Sequence, residues 1–301
     1  MLNLPTEFKN KIINRYSSSG NEWLINIDSI INKYIEMFQL TNLKLIENLT
    51  MNIVLTASSE KYGDVILKIL SPSKNSIDEI KFVKYCSSNY MVKCYFYDIK
   101  DRIMILERIK PGYCLNTLEN REKRIKVFCD IVNNFTTSNL YLKNFKTYDN
   151  MLIEKINDAK HNINIDSDII CKLSKAQEIY KEISNMNLPK YVLHDDLQHR
   201  NILKCENGWK VIDPHGIVGE KVLETSHFIK AELELIDRNT KHLNELVHSV
   251  SKYINEDISL VYKALYITII TKLIFYIKGG YNPDYIKYNL NLCNILIKYI
   301  D

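Results

Sequence analysis

From Tyr191 to Glu220 the chain reads YVLHDDLQHRNILKCENGWKVIDPHGIVGE. His194 and Asp196 are separated by one residue, Asn201 comes shortly after, and an apolar run from Trp209 to Ile212 ends in Asp213. This gives a carboxylate, an amide and a second carboxylate beside short apolar segments. Phosphoryl transfer from a magnesium nucleotide requires such a set: one carboxylate orients the attacking hydroxyl, while an amide oxygen and another carboxylate hold the metal. Upstream, Lys68 interrupts the aliphatic run Val65-Ile66-Leu67-Lys68-Ile69-Leu70. A lysine there either faces water from an edge strand or needs a partner for its charge. Glu79 follows in a helical segment. A helix glutamate is ordinarily just solvated, but behind a strand lysine it becomes a candidate for the ion pair that fixes a phosphate-binding lysine.

Taken together, these residues describe one mechanism. Lys68 contacts the α- and β-phosphates and Glu79 holds it in place. Asn201 and Asp213 coordinate Mg2+ on the phosphates of ATP, with GTP kept as an alternative donor. Asp196 accepts a hydrogen bond from the acceptor hydroxyl, orients it and takes its proton late. Positioning and charge neutralisation then supply most of the acceleration. His194 reads as a buried histidine supporting the loop rather than as the base.

The elements that must position these residues follow from periodicity. Pro5 to Tyr16 reads as a helix stopped by Ser17-Ser18-Ser19-Gly20. A second helix carries Trp23, Ile27, Ile30, Ile31, Tyr34, Ile35 and Phe38 on one face. From Leu43 the pattern changes to strands over Leu43–Asn48, Asn52–Ala57, Asp64–Leu70, Val92–Tyr97 and Arg102–Ile109. A hairpin is expected at Ser58–Gly63 and one helix over Pro72–Ser88. Pro111-Gly112 marks a turn and a boundary. Helical spacing then dominates, through Ile125–Phe135, Ile169–Ile183, Val222–Asp237, His242–Tyr253, Leu260–Lys278 and Pro283–Ile300. The predicted class is α+β and bilobal. Residues 1–109 form a small β-rich nucleotide-binding lobe with amino-terminal helices over 5–40, and 110–301 a larger, mostly helical catalytic and substrate-binding lobe.

Composition excludes several function classes. The 40 basic and 36 acidic residues balance to a net charge of +4, which argues against a nucleic-acid or membrane-surface partner. Seven cysteines lie dispersed with no C-x-x-C pair, as in a protein of the reducing cytoplasm. The amino terminus is too polar for a signal peptide. The apolar stretch Ala264–Ile277 is interrupted by Lys272 and flanked by Lys263 and Lys278, which reads as a core helix rather than a membrane span. No oligomeric state is assigned.

Several segments resemble the aminoglycoside phosphotransferase superfamily, and within it the branch of streptomycin kinases and hydroxyurea phosphotransferases. They are Gly20-Asn21-Glu22-Trp23-Leu24, Val65 to Ile69, Ile105-Leu106-Glu107-Arg108 with Pro111-Gly112, and above all Ile212-Asp213-Pro214-His215-Gly216-Ile217-Val218-Gly219-Glu220. The resemblance runs close to full length. It implies a protein-kinase-like fold, with the backbone around Glu107 to Ile109 hydrogen-bonding the adenine and Glu220 to Glu224 leading toward the substrate side. The chain departs from the pattern at Asp195 and Arg200, where the family usually has glycine. A third departure is the turn Leu49–Val54, which lacks glycine and where Asn52 is the candidate to offer an amide to a phosphate. Gln198 stands where protein kinases place lysine, and no Ala-Pro-Glu segment follows Asp213. Both features favour a small-molecule acceptor.

A cationic acceptor such as an aminoglycoside would call for carboxylates, and Glu220, Glu224, Glu232, Glu234 and Asp237 are the candidates, against the alternative of a solvated charged face. Three functions stay open. The first is a kinase for a hydroxyl of a streptomycin-like antibiotic, giving resistance. The second is a kinase for a small metabolite, such as a sugar, an amino alcohol or a nucleoside-like compound. The third is a kinase-like binding protein without activity, disfavoured by the intact Lys68, Glu79, Asp196, Asn201 and Asp213.

Overall fold

The structure is a computed structural model and describes residues 2–300 apart from 48, 74–75, 87, 136–138, 162–164, 237 and 239. In chain order its strands are β1 (Leu40–Leu45), β2 (Ile53–Ser59), β3 (Gly63–Ile69), β4 (Cys94–Asp98), β5 (Ile103–Glu107), β6 (Pro111–Cys114), β7 (Lys190–Leu193), β8 (Ile202–Cys205), β9 (Gly208–Val211) and β10 (Ile217–Glu220). The helices are α1 (Thr6–Phe38), α2 (Ser76–Tyr85), α3 (Arg121–Asn134), α4 (Tyr148–Lys160), α5 (Ser167–Asn185), α6 (Thr225–Leu235), α7 (Leu243–Ile254), α8 (Ile258–Lys278) and α9 (Pro283–Leu296). They form two compact units. One comprises Met1–Tyr113 with Lys204–His215, the other Cys114–Leu203 with Gly216–Asp301. The division at 109/110 read from the sequence is one cut, whereas the chain passes between units three times.

The first unit is built on an antiparallel sheet of order β1-β2-β3-β5-β4. Alternation fixes its buried face: Ile53, Leu55 and Ala57 of β2 and Val65, Leu67 and Ile69 of β3 form a core with Phe8, Ile12, Trp23, Ile27, Ile31 and Tyr34 of α1. The expected stop between two helices shrinks to a kink at Ser17 (φ 52°, ψ −126°). Gly20 lies beyond the kink, where an added Cβ would sit 2.7 Å from the Ile12 carbonyl oxygen. A side chain there would push the two segments apart. The first strand begins three residues before the expected Leu43, at Leu40, and Asn48 lies outside the described residues. Val211 belongs to this unit because its N–H donates to the Tyr90 carbonyl at 2.7 Å and its carbonyl accepts from Val92 N at 3.0 Å. Those bonds draw β9, and with it Asp213, into the amino-terminal unit. Pro111-Gly112, expected as a turn, opens β6.

The second unit is helical around α8, which packs against α5, α6, α7 and α9. This helix is long and apolar enough to cross a membrane, yet it is mostly buried among its own neighbours. It is apolar nearly all round because helices cover it nearly all round. A two-stranded antiparallel ladder pairs β7 with β10, from Ile217↔Leu193 to Glu220↔Lys190. It anchors the start of the loop that carries His194, Asp195 and Asp196. Helix α4 was not anticipated, although its buried residues Tyr148, Leu152, Ile156 and Ala159 do recur at helical spacing.

Candidate active site

Lys68 lies on β3, between β2 and β5, so it is not an edge-strand lysine. Its neighbours Leu67 and Ile69 point into the core, which directs Lys68 to the other face of the sheet. There its Nζ donates to Glu79 Oε1 of α2 at 2.5 Å and to Asp213 Oδ1 at 2.7 Å. The side chain is only 2% exposed. Burial works to lower the Lys68 pKa, but the charges of Asp213 and Glu79 overcome it and hold the ammonium above its ordinary value. Burial pushes the Glu79 carboxyl up, with Lys68 opposing and Asp213 adding to the rise. A buried ammonium stripped of its carboxylates would cost about 3–5 kcal/mol, so the triad is mutually dependent.

Asp213 follows β9 with φ +61°, a left-handed conformation that aspartate tolerates better than most residues. Its side chain is 48% exposed, which leaves the carboxylate open to solvent on the side away from Lys68. Asn52 Oδ1 accepts from Ser71 N at 2.9 Å and so ties the turn before β2 to the end of β3. Glu107 closes β5, where its N–H donates to the Lys93 carbonyl at 2.9 Å and its side chain accepts from Lys93 N and the Lys210 ammonium. Ile109 follows, half-buried.

In the second unit the loop after β7 turns sharply at Asp195, whose φ is +60°. This accounts for the glycine usual at that position: the backbone needs the left-handed region. Aspartate keeps the conformation and adds contacts. Its Oδ1 accepts from the Tyr148 hydroxyl at 3.2 Å and lies 3.8 Å from His227 Nε2. The neighbouring amides are also held, since His194 N and Asp195 N both donate to the buried Glu224 carboxylate, the latter at 3.1 Å. His194 is fully buried and its Nδ1 accepts from Asp196 N at 3.3 Å. It supports the loop, as expected. Arg200, the other departure, has ordinary backbone in a single helical turn and points to solvent.

Asp196 collects donors from three elements. Gln198 Nε2 reaches both carboxylate oxygens at 3.0 Å, and Asn201 Nδ2 donates to Oδ2 at 3.0 Å and to the Asp196 carbonyl at 2.8 Å. From α8, Lys272 Nζ donates to Oδ1 at 2.9 Å, and from α6, His227 Nδ1 lies 3.2 Å from the same oxygen. The last two were not assigned to the site from sequence. Lys272 did leave a signal, as the one charge inside an apolar stretch; His227 left none. Burial lowers the His227 pKa, and the nearby Lys272 charge lowers it further against the pull of Asp196. Burial also acts to lower Lys272, but Asp196 outweighs it and the ammonium stays above its ordinary value.

Glu224, Glu232 and Glu234, three of the expected acceptor carboxylates, bond to groups of the chain itself. Glu232 is fully buried, salt-bridged to Arg124 and 2.6 Å from His199 Nε2. Glu224 holds the loop amides as described. Glu220 is buried with Lys190 Nζ 3.5 Å from its Oε1. Glu234 Oε1 accepts from the Lys230 ammonium and from the Tyr285 hydroxyl at 2.6 Å. Glu220, Glu224 and Glu232, expected to face an acceptor, are thus all buried, and Glu224 and Glu232 are hydrogen-bonded within the chain. Asp237 lies outside the described residues.

Among the described residues no cluster of three acidic, histidine or cysteine side chains offers a ready metal cage. Magnesium needs no such cage: it takes one or two protein oxygens and fills its shell with water and phosphate oxygens. Asn201 and Asp213 each carry a side-chain oxygen of the kind it takes. The Asn201 amide spends its NH2 on Asp196, and Asp213 holds a half-exposed carboxylate against a lysine.

Residues 50–251 match the family model described as aminoglycoside/hydroxyurea antibiotic resistance kinase. Curated proteins yield no match. Among solved structures, the chain is similar to an ethanolamine kinase of Plasmodium vivax (TM-score 0.67, 14% identity, 99% of this chain and 96% of that one). It is also similar to the choline kinase LicA of Streptococcus pneumoniae (TM-score 0.64, 12% identity, 91% and 99%). A third likeness is to a thermostable mutant of the aminoglycoside phosphotransferase APH(4)-Ia in a ternary complex with ADP and hygromycin B (TM-score 0.62, 12% identity, 89% and 97%). At these identities the likeness is one of fold, and it agrees with the expected α+β, kinase-like architecture.

Proposed function

We propose, from the premise that this chain belongs to the aminoglycoside/hydroxyurea antibiotic resistance kinase family, that it transfers the γ-phosphoryl group of magnesium-ATP to a hydroxyl of a small molecule. The observation that carries this is the Lys68–Glu79–Asp213 triad: a buried strand lysine shared between a helix carboxylate and a half-exposed one. In this reading Lys68 meets the α- and β-phosphates, and the backbone from Glu107 to Ile109 receives the adenine. Asn201 and Asp213 would hold Mg2+, which would neutralise phosphate charge. Asp196 orients the acceptor hydroxyl and takes its proton as the bond to phosphorus forms. Gln198 and Asn201 fix the carboxylate, while Glu224 and Asp195 fix the loop beneath it.

The family description names two kinds of acceptor, and a streptomycin-like aminoglycoside was the first expectation from sequence. A second reading, a small acceptor of low positive charge, draws support from the fate of the acidic residues. Glu232 is ion-paired with Arg124 and Glu234 with Lys230. The Lys230 ammonium also sits 5.2 Å from the ring centroids of both Tyr276 and Tyr285, filling the aromatic setting an acceptor ammonium would use. A panel of cationic and neutral hydroxylated acceptors with magnesium-ATP separates the readings. Turnover of an aminoglycoside supports the first. Turnover of neutral acceptors alone supports the second.

A further inference from the structure

Lys272 is the least expected member of the site. It belongs to a helix whose buried residues run almost without a break from Leu260 to Tyr276, and its own side chain keeps 28% of its surface exposed. An ammonium in such a helix carries a desolvation cost that a structural position would avoid with leucine or methionine. Its partner is the carboxylate assigned to receive the acceptor proton, at 2.9 Å. Asp196 does not need this lysine to be held, because Gln198 and Asn201 already donate to both its oxygens. Nor does His227 supply a charge, since burial and Lys272 itself lower its pKa.

Position then decides what the ammonium can reach. A hydroxyl donating to Asp196 has its oxygen about 2.7 Å from the carboxylate. The phosphorus it attacks lies about 3–3.5 Å beyond in a near-attack arrangement. A cation on the same carboxylate therefore shares the neighbourhood of the phosphoryl oxygens, and a lysine reaches across it on a flexible four-carbon stem. Negative charge is spread over those oxygens in the transition state, and a cation aimed there acts without reorganising solvent.

We infer that Lys272 is a catalytic residue of the transfer step, its ammonium moving between Asp196 and an equatorial oxygen of the phosphoryl group in flight. It supplies from α8 the positive charge that Gln198 does not supply from the catalytic loop. The bond from phosphorus to the β-phosphate oxygen breaks, the bond to the acceptor oxygen forms, the hydroxyl proton goes to Asp196, and ADP leaves. Lys272 donates hydrogen bonds throughout and keeps its proton.

This inference rests on the phosphotransferase reading, and its test needs no acceptor. MgADP binding is measured by calorimetry with and without aluminium fluoride, which mimics the phosphoryl group in flight, for the parent, Lys272→Met and Lys272→Arg. In the parent, fluoride should tighten MgADP binding by about a hundredfold, at the low end for transition-state mimics. In Lys272→Met, MgADP affinity alone should stay within about twofold while most of the fluoride gain is lost, and Lys272→Arg should recover part of it, as expected for a residue acting only on the transition state. An unchanged fluoride gain in Lys272→Met, or none in the parent, overturns the role of Lys272 while MgADP binding still stands for the wider reading. If Lys272→Met weakens MgADP alone as much as MgADP with fluoride, the lysine is structural. Failure of the parent to bind MgADP at all overturns the phosphotransferase reading and the inference with it.

Discussion

Lys68 and Asp213 are far apart in the chain, yet Nζ and Oδ1 lie 2.7 Å apart within one unit, because β9 is tied to the segment before β4 by the bonds of Val211 to Tyr90 and Val92. The lysine proposed to bind phosphate and the carboxylate proposed to bind the metal are thus brought together by the fold itself. In the proposed function each has a second task on the nucleotide, and the ion pair between them would keep both side chains near those positions.

Lys68→Met should therefore weaken magnesium-ATP binding by roughly tenfold to a hundredfold, the value of a charge-assisted hydrogen bond or two. The same change leaves Glu79 buried without its cation and should lower thermal stability. Lys68→Met/Glu79→Leu should recover stability but not nucleotide affinity. Calorimetric binding and thermal unfolding of the two variants check this.

Asp195→Ala places a β-carbon at φ +60° without a side chain suited to it, and should lower stability by about 1–2 kcal/mol. Asp195→Gly satisfies the backbone and should cost less, even though both variants lose the Tyr148 contact. Denaturant unfolding of the pair compares them directly. A glycine variant less stable than the alanine one would show that conformation is not what the position demands.

Glu224 gives a pH signature. Burial pushes its carboxyl up to about 8, with the charges of Asp195 and Asp196 adding and the amides of His194 and Asp195 opposing. The folded value lies above that of the unfolded chain, so the folded state binds the proton more tightly. The stabilisation is fully present below the unfolded value and is lost as pH rises toward about 8. Thermal midpoints should fall over that window. Glu224→Gln should flatten the fall, leaving the smaller slope contributed by Glu79, whose carboxyl is also raised by burial. An equally steep fall in the variant would contradict the assignment.

Much of this was legible in the sequence. Lys68, Glu79, Asp196, Asn201 and Asp213 announce themselves because residue type, spacing and the change from strand to helix period all agree. The five strands and single helix of the amino-terminal sheet follow from the same periodicity. What stayed hidden depends on burial and on tertiary pairing. Glu224 and Glu232 read as exposed helix carboxylates, and only their packing shows one fastening a loop and the other locked to Arg124. Lys272 was visible as a charge in an apolar helix, but its partner sits in a distant loop and no local rule names it. Asp195 looked anomalous until its left-handed backbone showed why glycine is usual there and why aspartate can replace it.

The central claim is that Asp196 serves the acceptor while Asp213 serves the metal nucleotide, and the most direct measurement compares Asp196→Asn with Asp213→Ala for magnesium-ATP affinity and phosphoryl transfer. Asp196→Asn should bind magnesium-ATP like the parent and transfer at least about a hundredfold more slowly, the contribution of a positioned base. Asp213→Ala should lose magnesium-ATP affinity itself. Transfer at the parent rate by Asp196→Asn, or undiminished nucleotide affinity in Asp213→Ala, would contradict the account.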